Sequence, residues 1–486
     1  KKLALLFNSY IFIFLFLPIA FLFYFYLNHK GFSLLSKLFL LFSSLFFYSW
    51  WNIIYLPLIL FSMLFNYTIG LKIAKNATET FIKKKPLLIF GLVVNVSLLG
   101  YFKYYDFFIT NTNLLLDTNF SLMHIALPLA ISFFTFQQIA YLSDSYSGRV
   151  KENNFINYAL FVTFFPQLIA GPIVHHKQMM PQFASRDSKS LNYENIAKGI
   201  FIFAIGLFKK VVVADTFAQW SNYGFGSPYD LNLIEAWVAS LSFGFQLYFD
   251  FSGYTDMAIG IALLFNIKLP VNFRSPYRAL NIQEFWQRWH ITLSHFLRDY
   301  ISIPLKKRKV TLHVNILLTF LISGIWHGAG WTFVIWGLLH GMALVIVDVW
   351  KKIGFKMNII LAWLITFNFL NITRVFFRAD NVSDALHILH TMIFGQIVLP
   401  EKMEKSLNFL SSYKVSFGGF LPHLDADSNS IIALVLAFIV ILYFKNSSEL
   451  MENMTPNKKN IFFTALLLLI SMAYLHREIK FYYFIF

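Results

Sequence analysis

The chain has 486 residues, of which 57% are hydrophobic, 19% aromatic and only 13% charged, with 59 phenylalanines and no cysteine. A mean hydropathy of +0.60 lies far outside the usual soluble range, so the chain reads as one polytopic membrane domain over residues 1–486. The net charge of +16 gathers in short basic loops between apolar runs, which argues against a nucleic-acid partner, and the missing cysteines exclude disulfides, thiol nucleophiles and thiolate metal sites.

In chain order, apolar runs fall at 3–27, 33–48, 50–70, 87–104, 122–142, 196–214, 232–249, 255–267, 311–325, 331–350, 358–377, 430–444 and 461–476. At roughly 20 apolar residues per crossing the chain holds on the order of ten spans, and several of the runs are too short to cross alone. Leu3 to Leu27 is too long for a cleavable signal and reads as the first span. Lys72, Lys75, Lys83, Lys84 and Lys85, then Lys209 and Lys210, then Lys306, Lys307, Arg308 and Lys309 lie in or beside short loops expected on the cytoplasmic face. Alternation from the Lys83 loop puts the N-terminus, an Asp106–Asn119 loop and the C-terminal tail outside. The run from Asn157 to Ile173 contains Pro166, Gly171 and Pro172, so a helix breaks there. Irregular backbone at membrane depth survives only against protein or a wet cavity, and the break therefore predicts a cavity. The polar stretch 401–430 reads as a loop or small cap outside the membrane, and no internal repeat is evident.

A polar cluster occupies Gln246 to Tyr300. In Tyr248-Phe249-Asp250-Phe251-Ser252-Gly253-Tyr254-Thr255-Asp256, two carboxylates flank a Ser-Gly break. Asp250 and Asp256 are expected to satisfy their charge with Arg274, Arg288 or Arg298. In Glu284-Phe285-Trp286-Gln287-Arg288-Trp289-His290-Ile291-Thr292-Leu293, helical spacing puts Trp286, Trp289 and Leu293 on one stripe and Arg288 with Thr292 on another. That pattern predicts an amphipathic helix lying on or partly in the membrane, with His290 facing alongside Trp286.

His327 stands in Leu317–Trp331, a stretch almost empty of charge. An ionisable ring at membrane depth is costly without a partner or a wet cavity, and so marks a candidate functional site, the other reading being a histidine that only hydrogen-bonds between helices. His327 and His290 are each preceded by tryptophan and are expected to converge on one cavity. A neutral imidazole can take a proton from a hydroxyl and return it to a leaving group, which is the work of a base in acyl transfer. His175, His176 and His340 are not clustered in sequence with these two, so no metal site is expected.

In order along residues 132–379 come Ser132-Phe133-Phe134-Thr135-Phe136-Gln137, Phe164-Phe165-Pro166-Gln167-Leu168-Ile169-Ala170-Gly171-Pro172-Ile173, the Asp250–Asp256 segment, Phe285–His290, Gly324-Ile325-Trp326-His327-Gly328 and Phe376-Phe377-Arg378-Ala379. This ordered set resembles the membrane-bound O-acyltransferases, most closely the bacterial branch of alginate and peptidoglycan O-acetyltransferases, with the teichoic-acid D-alanylating branch more distant. The resemblance implies an all-α ring of about 10–12 transmembrane helices, at roughly 20 residues per crossing, with re-entrant segments and a central tunnel. It carries the catalytic histidine onto His327 and the second essential polar position onto His290. Trp326, Asp250, Ser252, Tyr254, Asp256, Arg288, Trp289, Gln167 and Pro172 are implied to line the tunnel or support it.

The last residues, Phe481-Tyr482-Tyr483-Phe484-Ile485-Phe486, read either as an aromatic belt or as a motif similar to one in envelope-polymer acyltransferases, whose tyrosine hydroxyl accepts the acyl group. The second reading makes Tyr483 an acyl relay. Together these features imply an enzyme of the bacterial cytoplasmic membrane. Its expected donor is acetyl-CoA, or another acyl-CoA or acyl carrier protein, on the cytoplasmic side. Its expected partners are a periplasmic SGNH-type transferase and a cell-envelope polysaccharide. A transporter or flippase of envelope precursors, or a D-alanyl or other acyl transferase, is the alternative.

Overall fold

The computed structural model describes residues 5–75, 83–150, 154–413 and 415–477, so the Phe481–Phe486 motif with Tyr483 lies outside the described residues. Six helical stretches are long and apolar enough to cross a membrane: Phe12–His29, Ser33–Trp51, Ile53–Ala74, Lys84–Leu116, Trp331–Ile353 and Ile359–Arg378. Leu312–His327, Val382–Phe394 and Ser428–Tyr443 are shorter apolar helices beside them. The protein is thus an all-α polytopic membrane protein. Within the polar stretch near 401–430, a short two-stranded parallel sheet pairs Ile397–Pro400 with Val415–Gly418.

At the centre stands one helix of 32 residues, Leu233–Leu264. A reciprocal cap starts it. Asn232 accepts from the Glu235 amide at 3.1 Å, and the Glu235 carboxylate accepts from the Asn232 amide at 3.0 Å. The expected break at Ser252-Gly253, which would have divided 232–249 from 255–267, is absent. Gly253 is a contact surface instead. A Cβ on Gly253 would lie 2.7 Å from the Gly206 carbonyl oxygen, and one on Gly206 would lie 2.5 Å from that of Gly253. Gly199 and Gly260 repeat the contact one heptad away, at 2.7 and 2.6 Å. Small residues at these positions let two backbones touch, which is how helices gain van der Waals contact in an apolar medium.

The partner helix overturns a second expectation. Lys209 and Lys210 are not in a loop. They open a π-helical turn, Lys209–Ala214, inside a continuous helical run from Tyr193 to Gly226. Lys210 is buried, with its Nζ 2.5 Å from Asp215 and 3.0 Å from Asp250. Lys209 lies 2.7 Å from Asp256 and 3.0 Å from the Ser447 hydroxyl. The two acids of the Asp250–Asp256 segment therefore meet lysines across the glycine contact, not the arginines. Arg288 pairs with Glu284 and Arg298 with Asp299. A buried charge is costly unless it is paired, and the close approach at Gly206 and Gly253 brings the pairs within reach.

Two other segments differ from their sequence reading. The Asp106–Asn119 stretch is helical as far as Leu116, and Asp106 accepts from the Met123 and His124 amides at 2.8 and 3.0 Å. The run 122–142 is helical only from Ile131. The break near Pro166 is present: Phe155–Thr163 stops, Phe165–Leu168 forms one turn, and irregular chain leads to His176. This segment is buried, and Gln167 satisfies it by donating to the Phe161 carbonyl at 3.0 Å while accepting from Gln137 at 2.7 Å.

Gly206→Ala and Gly253→Ala should each cost about 1–3 kcal/mol through forced separation of the helices. A Cβ on Gly226 meets nothing within 4 Å, so Gly226→Ala serves as the control. Thermal melting of the detergent-solubilised protein reads the difference, and equal melting temperatures for all three variants would contradict the contact.

Candidate active site

His327 is the last residue of helix Leu312–His327 and is 3% exposed. A helix end leaves carbonyls without intrahelical partners and carries partial negative charge. Here Tyr104 donates to the Ile325 carbonyl at 2.5 Å, and the Lys103 ammonium donates to the Trp326 and His327 carbonyls at 2.6 and 3.0 Å. Both donors come from the π-helical turn Gly100–Tyr104. The chain then leaves through Gly328, where a Cβ would fall 2.1 Å from the Phe333 ring. Aromatic rings enclose the imidazole: Trp326 at 4.9 Å between centroids, Trp336 at 5.0 Å and Phe377 at 5.2 Å.

His290 is positioned by a break that the sequence pattern hid. Helix Ile282–Arg288 stops, His290 takes a left-handed φ of 43°, and a new helix runs from Ile291 to Leu297. The expected continuous amphipathic helix is therefore absent, and Trp286, Trp289 and Leu293 are all buried. Its cause is a neighbouring strand-like segment. The Arg274 amide donates to the Arg288 carbonyl at 2.9 Å and the Ile291 amide donates to the Asn272 carbonyl at 3.0 Å, bracketing Trp289 and His290.

The Asn272 side chain then sets the ring of His290. Its Oδ1 accepts from the Thr292 amide at 3.2 Å and the Thr292 hydroxyl at 3.0 Å, and lies 3.2 Å from His290 Nδ1. A backbone amide can only donate, so the Asn272 atom is the carbonyl oxygen and His290 Nδ1 carries a proton. In the neutral ring, Nε2 is the lone-pair nitrogen. Thr292 Oγ1 accepts from the Ile173 amide at 3.0 Å, which ties the broken Pro166–Pro172 segment to His290.

Trp326 neighbours both histidines, 4.9 Å from His327 and 6.4 Å from His290. Phe136 stacks on it at 4.9 Å, and its indole donates to the Ser132 carbonyl at 3.4 Å. The Ser132–Gln137 motif thus supports the tryptophan. Beside His327 is a cavity of about 20 Å³, walled by Trp289, Trp336 and Phe377 and reached by His340, Thr373 and Arg374. It has room for about one water molecule.

Of the residues singled out in the sequence, His327, His290, Trp326 and Trp289 come together here. Asp250, Ser252, Tyr254 and Asp256 are buried but do not line the cavity. Their helix contributes Leu247 to its wall and Phe251 to the His290 ring, at 4.8 Å. Arg288 turns to Glu284, at 3.0 and 2.9 Å. Gln167 and Pro172 stay on the broken segment behind Thr292. Sequence reading missed Lys103, Asn272, His340 and Arg374 as members of the site. His340 accepts from the Trp286 indole at 3.3 Å and lies 3.2 Å from the Thr373 hydroxyl, so it belongs to the same wall. Arg374 carried the same signal as His327, an ionisable group inside an apolar run. Among the described residues no three His, Asp or Glu side chains are grouped to hold a metal ion.

The profile of the membrane-bound O-acyltransferase family matches residues 21–378. A peptidoglycan O-acetyltransferase of Helicobacter pylori is 50% identical over 86% of this chain and 85% of its own length. A probable alginate O-acetylase of Pseudomonas aeruginosa is 37% identical over 84% of this chain and 76% of its own length. A teichoic acid D-alanyltransferase of Bacillus subtilis is 27% identical over 50% of this chain and 66% of its own length.

Replacing Lys103 with Met should loosen the helix end that carries His327, since a cation there contributes up to ~2 kcal/mol in buried geometry. Hydrogen–deuterium exchange is expected to speed up in peptides spanning Phe320–Trp331 and to stay unchanged elsewhere. Equal protection in both proteins would remove Lys103 as the cap.

Proposed function

The chain belongs to the membrane-bound O-acyltransferase family and is a multi-pass membrane O-acyltransferase, and from that premise we propose that it moves an acetyl group from a cytoplasmic thioester, acetyl-CoA, towards O-acetylation of a cell-envelope polysaccharide. Peptidoglycan is favoured over alginate because the peptidoglycan relative is 50% identical and the alginate relative 37%. The proposed setting is the bacterial cytoplasmic membrane, with an SGNH-type transferase as partner on the outer side. The observation that carries the reading is the pair of buried histidines joined through Trp326, one of them opening onto a confined cavity.

His327 takes the proton of an accepting hydroxyl as that oxygen attacks the thioester carbonyl, then returns it to the departing thiolate. His290, with its Nδ1 proton held by Asn272, orients or polarises the reacting groups. The cavity beside His327 has room for about one water molecule, which leaves no place there for a long acyl chain. No metal takes part in this scheme. Tyr483 is the proposed carrier: its phenol oxygen bonds to the acetyl carbon, and the ester delivers the group outward without a bulky polymer having to reach His327.

His327→Ala should lower ester-linked acetate in purified cell wall at least ~10²-fold with the protein still present in the membrane. Normal acetate at normal abundance would remove His327 as the base. Tyr483→Phe, which deletes only the hydroxyl, should bring wall acetate to background. Unchanged acetate would leave direct transfer without the relay.

A further inference from the structure

Arg374 lies on helix Ile359–Arg378, is 5% exposed and reaches the cavity that His327 also lines. Its situation differs from that of the other cations inside the protein. Lys209 and Lys210 each have a carboxylate within 3.0 Å, and Lys103 has the carbonyls of a helix end. Among the described residues no carboxylate pairs with Arg374, and its Nη2 is buried without a hydrogen-bond partner. The guanidinium is held by shape. The ring of Tyr277 lies 4.7 Å away, and Gly244 leaves space for Nη1, which a Cβ there would approach to 3.0 Å. Tyr277 is fixed in turn, donating to the Gly244 carbonyl at 2.6 Å.

A buried guanidinium with an unmet donor costs free energy that neither the cation–π contact nor packing returns in full. Negative charge arriving beside it would recover that cost. A phosphate group of a donor does not fit a cavity of about 20 Å³ walled by aromatic rings. A single oxygen does.

We propose that Arg374 is a catalytic residue that stabilises the oxyanion of the tetrahedral intermediate in the acyl transfer, an inference that rests on the acyl-transfer reading above. As the acceptor oxygen bonds to the carbonyl carbon, its proton passes to His327 and the carbonyl π electrons move onto the carbonyl oxygen. The Arg374 N–H groups donate to that oxygen. When the intermediate collapses, the electrons return to the carbonyl, the carbon–sulfur bond breaks, and the thiolate takes the proton from His327. Donors fixed in advance in a water-poor site act more strongly on the transition state than on the neutral thioester, so the effect falls on kcat.

The test uses purified full-length protein in detergent with radiolabelled acetyl-CoA, with peptidoglycan fragments and the outer-side transferase as acceptor, and compares wild type, Arg374→Gln, Arg374→Lys and Gly244→Ala. Arg374→Gln should lower kcat by about 10²–10³-fold, with KM within about threefold. Arg374→Lys should recover about tenfold of that loss by restoring the charge without the fork. Gly244→Ala crowds Nη1 and should slow turnover at an unchanged melting temperature. Turnover of Arg374→Gln within about threefold of wild type overturns the inference, as does a rise in KM at constant kcat, which would make Arg374 a donor anchor. A parallel fall of melting temperature and turnover in Arg374→Gln, with Gly244→Ala fully active, assigns it a structural role and overturns the inference equally. Failure of the wild type to transfer label sinks the acetyl-CoA reading instead. The same variants are then compared by wall-bound ester acetate, where equal acetate in wild type and Arg374→Gln overturns the inference and acetate lost in Arg374→Gln but partly restored in Arg374→Lys supports it.

Discussion

Polar and charged groups inside an apolar protein need partners, and the way this chain supplies them sets its architecture. Burying an ion costs several kcal/mol, recovered only by good geometry with an opposite charge or dipole. Lys210 finds Asp215 and Asp250, Lys209 finds Asp256, and Lys103 finds the carbonyl end of helix Leu312–His327. The last of these joins structure to chemistry most directly, because the capped turn is the one that presents His327. Removing Lys103 would leave the Trp326 and His327 carbonyls without their donor, with only the Ile325 carbonyl still held by Tyr104.

These pairs depend on how closely backbones approach. Gly206 against Gly253, and Gly199 against Gly260, bring helix Tyr193–Phe208 onto the central helix. Gly324 against Gly337 does the same for the two helices flanking His327: a Cβ on Gly324 would come 3.0 Å from the Gly337 Cα. Side chains that would otherwise separate the helices are missing at the crossing points, so polar groups on either side fall within hydrogen-bond distance. The glycines and the buried charges form one construction.

Much of this was legible in the sequence, and the exceptions have physical causes. His327 was visible as an ionisable group in an apolar run, and Pro166, Gly171 and Pro172 marked a true break. Gly253 was misread as a break because a glycine in a helix signals flexibility and close packing equally well until its neighbour is known. Lys209 and Lys210 read as a loop because adjacent lysines in a membrane protein usually orient it, whereas here Lys210 is buried between two aspartates 35 positions apart in sequence. The turn at His290 was hidden because the tryptophan spacing around it is helical, and the amides of Arg274 and Ile291 that bend the chain belong to a tertiary pairing. His340 and Arg374 joined the site only through the folding of two later helices. Arg374 deserved the suspicion given to His327, since the same desolvation argument applies to both.

The central claim is that one chain carries an acetyl group from a thioester on one side of a membrane to a hydroxyl on the other. The most direct measurement reconstitutes the purified protein into sealed vesicles, supplies radiolabelled acetyl-CoA outside and encloses peptidoglycan fragments with the outer-side partner inside. The account predicts base-labile acetyl ester on the enclosed material, absent when His327 is replaced by Ala. Acetyl-CoA consumed with no ester inside the vesicles, or ester that forms equally well without His327, would contradict it.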